Sequence, residues 1–205
     1  MIGLIFATTR EAAPFIELSR AVQVDRTPFA IYQVPENPLL LVSVSGIGKV
    51  AAAVACHALI REYGVTEILN AGVCGALQSG SRFEAGRLLC ITSAVEVDHE
   101  VLKRQPEPVL SDGRMDWDLP AARLATSDCP VFDDRRRAAL CAMADLVDME
   151  GAAIARVAAM YHTPWAMIKG VTDAAGPTDQ ETLKQNLATV SRIIGTYLWD
   201  QLQSQ

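Results

Sequence analysis

The chain has 205 residues, half of them hydrophobic and a fifth charged, with a formal net charge of −6. That length and composition suit one globular domain with a sizeable core. The acidic balance argues against a sequence-independent nucleic-acid binder, which needs a basic stripe. The basic residues are scattered, and the tight run Arg135-Arg136-Arg137 follows Asp133-Asp134 as a solvated helix start would. Five cysteines (Cys56, Cys74, Cys90, Cys129, Cys141) form no CxxC pair and no metal-ligand spacing. They imply a reducing cytosol rather than a disulfide framework. The apolar start is cut off by Arg10 and Glu11, with no basic segment before it, so it does not read as a signal peptide. No apolar run approaches the roughly 18 residues of a membrane-spanning helix. The expected location is the cytoplasm.

In chain order, Ile2–Ala7 reads as a buried strand, and Leu39–Val44 as another after the breakers Pro35 and Pro38. Gly46-Ile47-Gly48 turns the chain into an alanine-rich helix, Lys49–Tyr63, which Gly64 closes. Glu67–Ala71 is the next strand and enters a loop at Gly72-Val73-Cys74-Gly75, and Arg87–Thr92 is a further strand. Between Asp98 and Pro120 the periodicity lapses into an excursion rich in proline and charge. Ala122–Thr126 is a candidate strand and Asp133–Met143 a short helix. Ala144–Val147 leads into a longer helix, Glu150–Tyr161. Pro164 separates that helix from the strand Trp165–Val171, and Asp179–Gln203 reads as a long amphipathic closing helix. This alternation predicts an α/β fold, a single domain over residues 1–205 with a mixed, mostly parallel β-sheet flanked by helices.

Ligands of such sheets sit at the carboxyl ends of the strands. Thr8–Glu11, Ser45–Gly48, Gly72–Gly75, Met149-Glu150 and Thr172-Asp173 all fall there. Three carboxylates and two glycine turns therefore converge on one predicted pocket, where burial can move a pKa. On spacing alone, Asp173 reads equally as a cap, and Glu11 as a first-turn carboxylate favoured by the helix dipole. Gly46-Ile47-Gly48 lacks the third glycine of a dinucleotide fingerprint and the ending of a P-loop. His57 and His162 read as structural. Asp98, His99 and Glu100 are too crowded to form a metal site without a distant ligand.

Four strings taken together carry more: Ser45-Gly46-Ile47-Gly48-Lys49-Val50-Ala51-Ala52, Asn70 to Leu77, Val147-Asp148-Met149-Glu150-Gly151-Ala152-Ala153, and Val171-Thr172-Asp173. In this order they resemble the purine nucleoside phosphorylase and nucleosidase superfamily, and most closely its 5′-methylthioadenosine/S-adenosylhomocysteine nucleosidases. The likeness runs from Ile2 to the closing helix. It implies hydrolysis of the N-glycosidic bond of a 5′-modified adenosine, with Asp173 as the acid that protonates purine N7 and Glu11 activating the attacking water. Glu150 would bind the ribose hydroxyls, with Met149 against the sugar and Val131 a backbone contact to the base. Ile47 and Leu183 would line the 5′ side, and Val73, Gly75 and Thr172 would complete the substrate site. His99 falls where relatives carry an Asp/His pair near the substrate loop. The resemblance also implies a homodimer and no metal, flavin, nicotinamide or haem.

The sequence departs from that pattern in three places. The region between His99 and Asp128 is short, Pro130 stands where relatives place a stacking Phe (with Phe132 close enough to substitute), and Val73 replaces a Ser. Phosphorolysis would need an anion site. A carboxylate at Glu11 suits water better than phosphate, and Arg82 and Arg87 are not at anion-binding positions. Hydrolysis is therefore expected, with a futalosine hydrolase, a phosphate-dependent phosphorylase and a non-catalytic nucleoside-binding module as the alternatives.

Overall fold

A computed structural model describes residues 1–99, 107–113, 117–177 and 179–203 of the chain. It opens with β1 (Ile2–Phe6), buried from Gly3 onward because both of its edges are paired. On one side lies β4 (Asn37–Val44) and on the other β5 (Glu67–Ala76), both parallel to it. Side chains alternate between faces along the strand, as a pleat requires. Leu4 and Phe6 join one apolar cluster and Ile5 another.

Helices cover both faces. On the Leu4/Phe6 side, α1 (Thr9–Ser19) packs against the closing helix α5 (Asp179–Leu202), with Phe15, Val190, Ile194 and Leu198 buried between them and the sheet. On the Ile5 side, α2 (Lys49–Arg61) and α4 (Gly151–Met160) bury Ala52, Ala55, Leu59, Ile154, Ala155 and Ala158. These small residues let α2 and α4 approach closely against Ile68, Ile91 and Met167. Burial of this kind is worth about 25 cal/mol per Å² of apolar surface and is the main favourable contribution.

The remaining strands are β2 (Val22–Asp25), β3 (Ala30–Val34), β6 (Leu88–Glu96), β7 (Val109–Leu110), β8 (Ala121–Thr126), β9 (Leu146–Asp148) and β10 (Trp165–Asp173), with a short helix α3 (Asp134–Leu140) before β9. β4, β1, β5 and β10 run parallel through the middle of the sheet. β6, β8 and β9 form a second parallel set. Antiparallel pairing joins the two sets, β10 to β6 and β5 to β9, and also adds the β2–β3 edge and β7. As a result β5, β10, β6, β8 and β9 close into a ring: β5 carries β10 along one edge, and β1 followed by β9 along the other.

Four places differ from the sequence expectations. Gly72–Gly75 is strand, not loop, because β10 keeps pairing alongside it from Lys169↔Gly72 to Asp173↔Gly75. Residues Leu146–Asp148 form β9 rather than a lead-in to helix, held by β5 on one edge and β8 on the other. The β2–β3 hairpin had no signal, because β2 is mostly exposed and lacks an apolar alternation. α1 extends well beyond the first turn that Glu11 suggests, with Pro14 inside it. The expected excursion contains β7, and residues 100–106 and 114–116 of it lie outside the described residues. Among the described residues, no helix is long and apolar enough to cross a membrane.

Candidate functional site

The parallel strands β1, β4, β5 and β10 end along one edge of the sheet, and β9 runs back toward that edge from the end of β5. A cavity of about 330 Å³ opens there. Glu11, Glu150 and Asp173 line it together with Ile47, Val73, Gly75, Val131, Phe132, Met149, Thr172 and Leu183. The eleven residues to which the resemblance gives a place in the site thus line one cavity, whereas His99 does not. Pro130 lines it beside Phe132. Arg10, Arg82, Arg87 and His99 are not part of the lining. His57 is exposed and meets the Tyr161 hydroxyl at 2.8 Å.

Glu11 reaches the cavity from the first turn of α1. Thr8 caps that helix, and Glu11 closes a capping box: its Oε2 accepts from the Thr8 backbone N–H at 2.9 Å and from the Thr8 hydroxyl at 2.7 Å. Its Oε1 accepts from the Val73 N–H of β5 at 3.0 Å. The carboxylate is fixed from two elements and is buried, with 5 % of its surface exposed. Gly72 is what admits it, since a Cβ there would lie 2.9 Å from Glu11 Oε1.

Glu150 stands at the N-terminus of α4 and accepts from the Gly48 N–H at 2.8 Å. Gly48 holds a φ of 95°, a conformation that glycine adopts without steric cost, and the turn it makes aims that N–H across the cavity edge. Burial and the neighbouring Asp148 push the Glu150 carboxyl up to about 7. Its charge is therefore expensive in this site and can be lost near neutral pH.

Asp173 ends β10. Its Oδ1 accepts from the Ala175 N–H at 2.9 Å, and its Oδ2 lies 2.8 Å from the Thr172 hydroxyl. Ala175 holds a left-handed φ of 54° to direct that N–H, a local strain of the kind found at functional sites. Burial raises the Asp173 carboxyl above the usual carboxylate range, and Asp179 adds to the effect. The two hydrogen bonds work in the opposite direction without overcoming it.

Beneath the cavity lies a buried ion pair that strand-end reasoning did not single out. Lys169 of β10 is 1 % exposed and meets Asp148 of β9 at 2.8 Å. Asp148 also accepts from the Thr126 hydroxyl at 2.6 Å and from the Gly151 N–H at 2.8 Å. Burial acts to lower the Lys169 ammonium's pKa, but the combined pull of Asp148, Glu150 and Glu11 outweighs it. The available signal was a single lysine inside the apolar run Trp165–Val171. Asp148 belongs to the string Val147 to Ala153, whose resemblance implies no role for it.

A second ionic group lies by the N-terminus of α2. Lys49 meets Asp98 at 2.6 Å, Asp128 at 3.5 Å and Glu96 at 3.9 Å, and Arg156 meets Glu96 at 2.8 Å. Asp98 is thereby used as an ion-pair partner. Although burial opposes it, Lys49 and the Asp128 N–H hold its carboxyl below the ordinary range. No group of three or more His, Cys, Asp or Glu residues is placed to hold a metal ion among the described residues.

Known proteins with a comparable chain share this arrangement of elements. The sequence is similar to a 5′-methylthioadenosine/S-adenosylhomocysteine nucleosidase of Arabidopsis thaliana, 28% identical over 225 residues that take in 93% of this chain and 85% of that protein. An aminodeoxyfutalosine nucleosidase of Campylobacter jejuni is 24% identical, over 85% of this chain and 86% of its own. The fold is similar to that of the Helicobacter pylori 5′-methylthioadenosine/S-adenosyl homocysteine nucleosidase, with a TM-score of 0.90 at 20% identity, covering 100% of this chain and 98% of that one. The family model described as the Phosphorylase superfamily matches residues 1–198. With that match spanning nearly the whole chain, the protein belongs to the phosphorylase superfamily.

Proposed function

We propose that the protein is a nucleosidase that hydrolyses the N-glycosidic bond of a 5′-modified adenosine, releasing free base and sugar. The observation that carries this reading is the contrast between two buried carboxyls on one cavity. Burial raises Asp173 above the usual carboxylate range, whereas Glu11 accepts three hydrogen bonds and offers none. Cleavage with oxocarbenium character needs an acid at the leaving base and an acceptor for the proton of the attacking water, and the two environments supply that division of labour.

Hydrogen-bond accounting supports Asp173 as the acid. The Thr172 hydroxyl has one proton, yet it contacts both the Cys74 carbonyl at 3.2 Å and Asp173 Oδ2 at 2.8 Å. A carbonyl can only accept. With Asp173 ionised, Thr172 donates to it and the Cys74 contact goes without a proton; with Asp173 protonated, Asp173 donates to Thr172 and Thr172 to Cys74, so only the protonated form satisfies both contacts. In this reading Asp173 delivers its proton to purine N7, Glu11 takes one from water, and Glu150 binds the ribose hydroxyls over Met149. Val131 and Phe132 hold the base, and Ile47 and Leu183 flank the 5′ carbon. The names borne by relatives leave the 5′ group open between a thioether and a futalosine-type extension.

The protein is further proposed to act in the cytoplasm as a homodimer. Val50 and Val54 are exposed on one face of α2, beside the exposed Ile47 of the preceding turn, and Ile47 also lines the cavity, so a second copy seated there would close its open side. Sedimentation velocity of the wild-type chain tests this, and a monomer across micromolar concentrations removes it.

The deciding experiment for the chemistry is Asp173→Asn. Turnover of 5′-methylthioadenosine, followed as adenine release without phosphate, should fall by about 10²–10⁴-fold while binding is largely kept. Equal activity in the variant, or release that requires phosphate, overturns the mechanism.

A further inference from the structure

The wall of the cavity given to the base is carried by neither strand nor helix. Pro130, Val131 and Phe132 lie on residues 127–133, an irregular segment between β8 and α3. Asp128, Cys129 and Pro130 face solvent, and only Val131 of the segment joins an apolar cluster, with Leu77, Ala125 and Val147. A segment with so little apolar burial depends on polar bonds for its position. Its far end is closed by Asp133, which caps α3 by accepting from the Arg136 N–H at 2.7 Å.

Its near end is tied to Asp98, just past β6. Asp98 Oδ2 accepts from the Asp128 N–H at 2.8 Å, and Oδ1 accepts from the Lys49 ammonium at 2.6 Å. The Ser127 hydroxyl is a weaker partner: it lies 3.3 Å from Oδ2, and its single proton has a closer acceptor in the Cys129 carbonyl at 2.9 Å. Lys49 completes a circuit of contacts, because its own backbone N–H donates to Asp128 Oδ1 at 2.9 Å. One residue before it, the Gly48 N–H donates to Glu150. Adjacent amides at the start of α2 therefore hold the base segment and the ribose carboxylate together, and Asp98 fastens the segment to the same lysine. Glu11 and Asp173 are fixed independently, the first by Thr8 and Val73 and the second by Thr172 and Ala175.

We infer that Asp98 is a positioning residue for the purine: without touching the nucleoside, it sets residues 127–133 against α2 and so fixes where Val131 and Phe132 meet the base. This rests on the nucleosidase reading, which gives that wall to the base. Asp98 is not part of the cavity lining. Its side chain and that of Lys49 are 22 % and 15 % exposed, so water can solvate either charge once the tie is cut. Water cannot fix the distance from the segment to α2. The cost of losing Asp98 therefore falls on base recognition more than on folding, and on binding more than on the proton transfers.

The experiment is Asp98→Ala, titrated calorimetrically with adenine and separately with 5-methylthioribose, beside steady-state turnover of 5′-methylthioadenosine. Adenine affinity should fall about fivefold or more, the order expected for a lost charge-assisted tie, while affinity for the sugar stays within about twofold. KM should rise by a factor similar to the loss in adenine affinity, with kcat nearly kept. Asp98→Asn keeps an acceptor for the Asp128 N–H and removes the ion pair. It should show the same selective loss at a smaller factor, and it takes the place of the alanine variant if that one fails to fold. Unchanged adenine affinity, or equal losses for adenine and the sugar as a general loosening would give, overturns the inference. Absence of turnover in a wild type that binds adenine removes the nucleosidase reading, while the comparison of adenine with sugar still decides the role of Asp98. A wild type that binds no adenine overturns both.

Discussion

Lys169 and Lys49 each meet an aspartate at hydrogen-bond distance, 2.8 Å to Asp148 and 2.6 Å to Asp98. Their surroundings set them apart. The Lys169 and Asp148 side chains are 2 % and 1 % exposed, whereas those of Lys49 and Asp98 are 15 % and 22 % exposed, and Asp128 beside them is half in water. In the first pair neither partner has an alternative: remove one, and the other is a bare charge away from solvent. In the second, water can take the place of whatever is lost. The same chemical pairing is therefore a fixed part of the cavity floor in one place and an adjustable contact at its edge in the other. The buried pair also bears directly on the carboxylates of the site, since Asp148 raises Glu150 and Lys169 lowers it.

That contrast can be broken experimentally. The largest effect on stability is expected for Lys169→Met, which strands Asp148 and should cost about 3–5 kcal/mol in urea unfolding. A loss below about 1 kcal/mol would show that the pair is not what holds the floor together. Next comes Glu150, whose carboxyl at about 7 lies above the ordinary glutamate range. A group whose pKa is raised by folding binds its proton more tightly in the folded chain. Its contribution is whole below the ordinary glutamate range and is lost as pH rises through about 7. Glu150→Gln keeps an acceptor for the Gly48 N–H and removes the charge. The variant should therefore gain up to ~3 kcal/mol over the wild type near pH 8, and almost nothing near pH 4. A gap that is equal at both pH values would mean that burial of the charge is not its source. The smallest effect belongs to Lys49→Ala, expected to cost about 1 kcal/mol or less and to shrink further in high salt. A loss as large as that of Lys169→Met would erase the distinction between the two regions.

Much of the architecture was legible in local pattern. β1 and β10 are apolar runs of strand length, α2 and α4 repeat small apolar residues at helical spacing, and Gly64 follows α2 as expected. β2 and β9 were not legible, for different reasons. β2 lies on the sheet edge with its side chains mostly in solvent, so nothing selects an alternating pattern. β9 is three residues long and exists because β5 and β8 offer it hydrogen-bonding edges. Glu11, Glu150 and Asp173 were legible because strand ends carry them in short strings, whereas Val131, Phe132 and Leu183 came only with the family resemblance. Lys169 was not, since one charged residue in a buried run has no readable partner until β9 is brought beside β10.

The sequence by itself determined the succession of strands and helices and the kinds of residue at the strand ends, because burial and periodicity act over a few neighbours at a time. Tertiary structure alone decided that β5 would be paired along both edges to its end, so that Gly72 and Gly75 admit Glu11 and Asp173 rather than form a loop. It also decided which carboxyl would be raised and which held by donors. Desolvation and charge proximity depend on distances between residues far apart in the chain, such as Glu11 to Val73 and Gly48 to Glu150. Those distances are created only when the sheet closes.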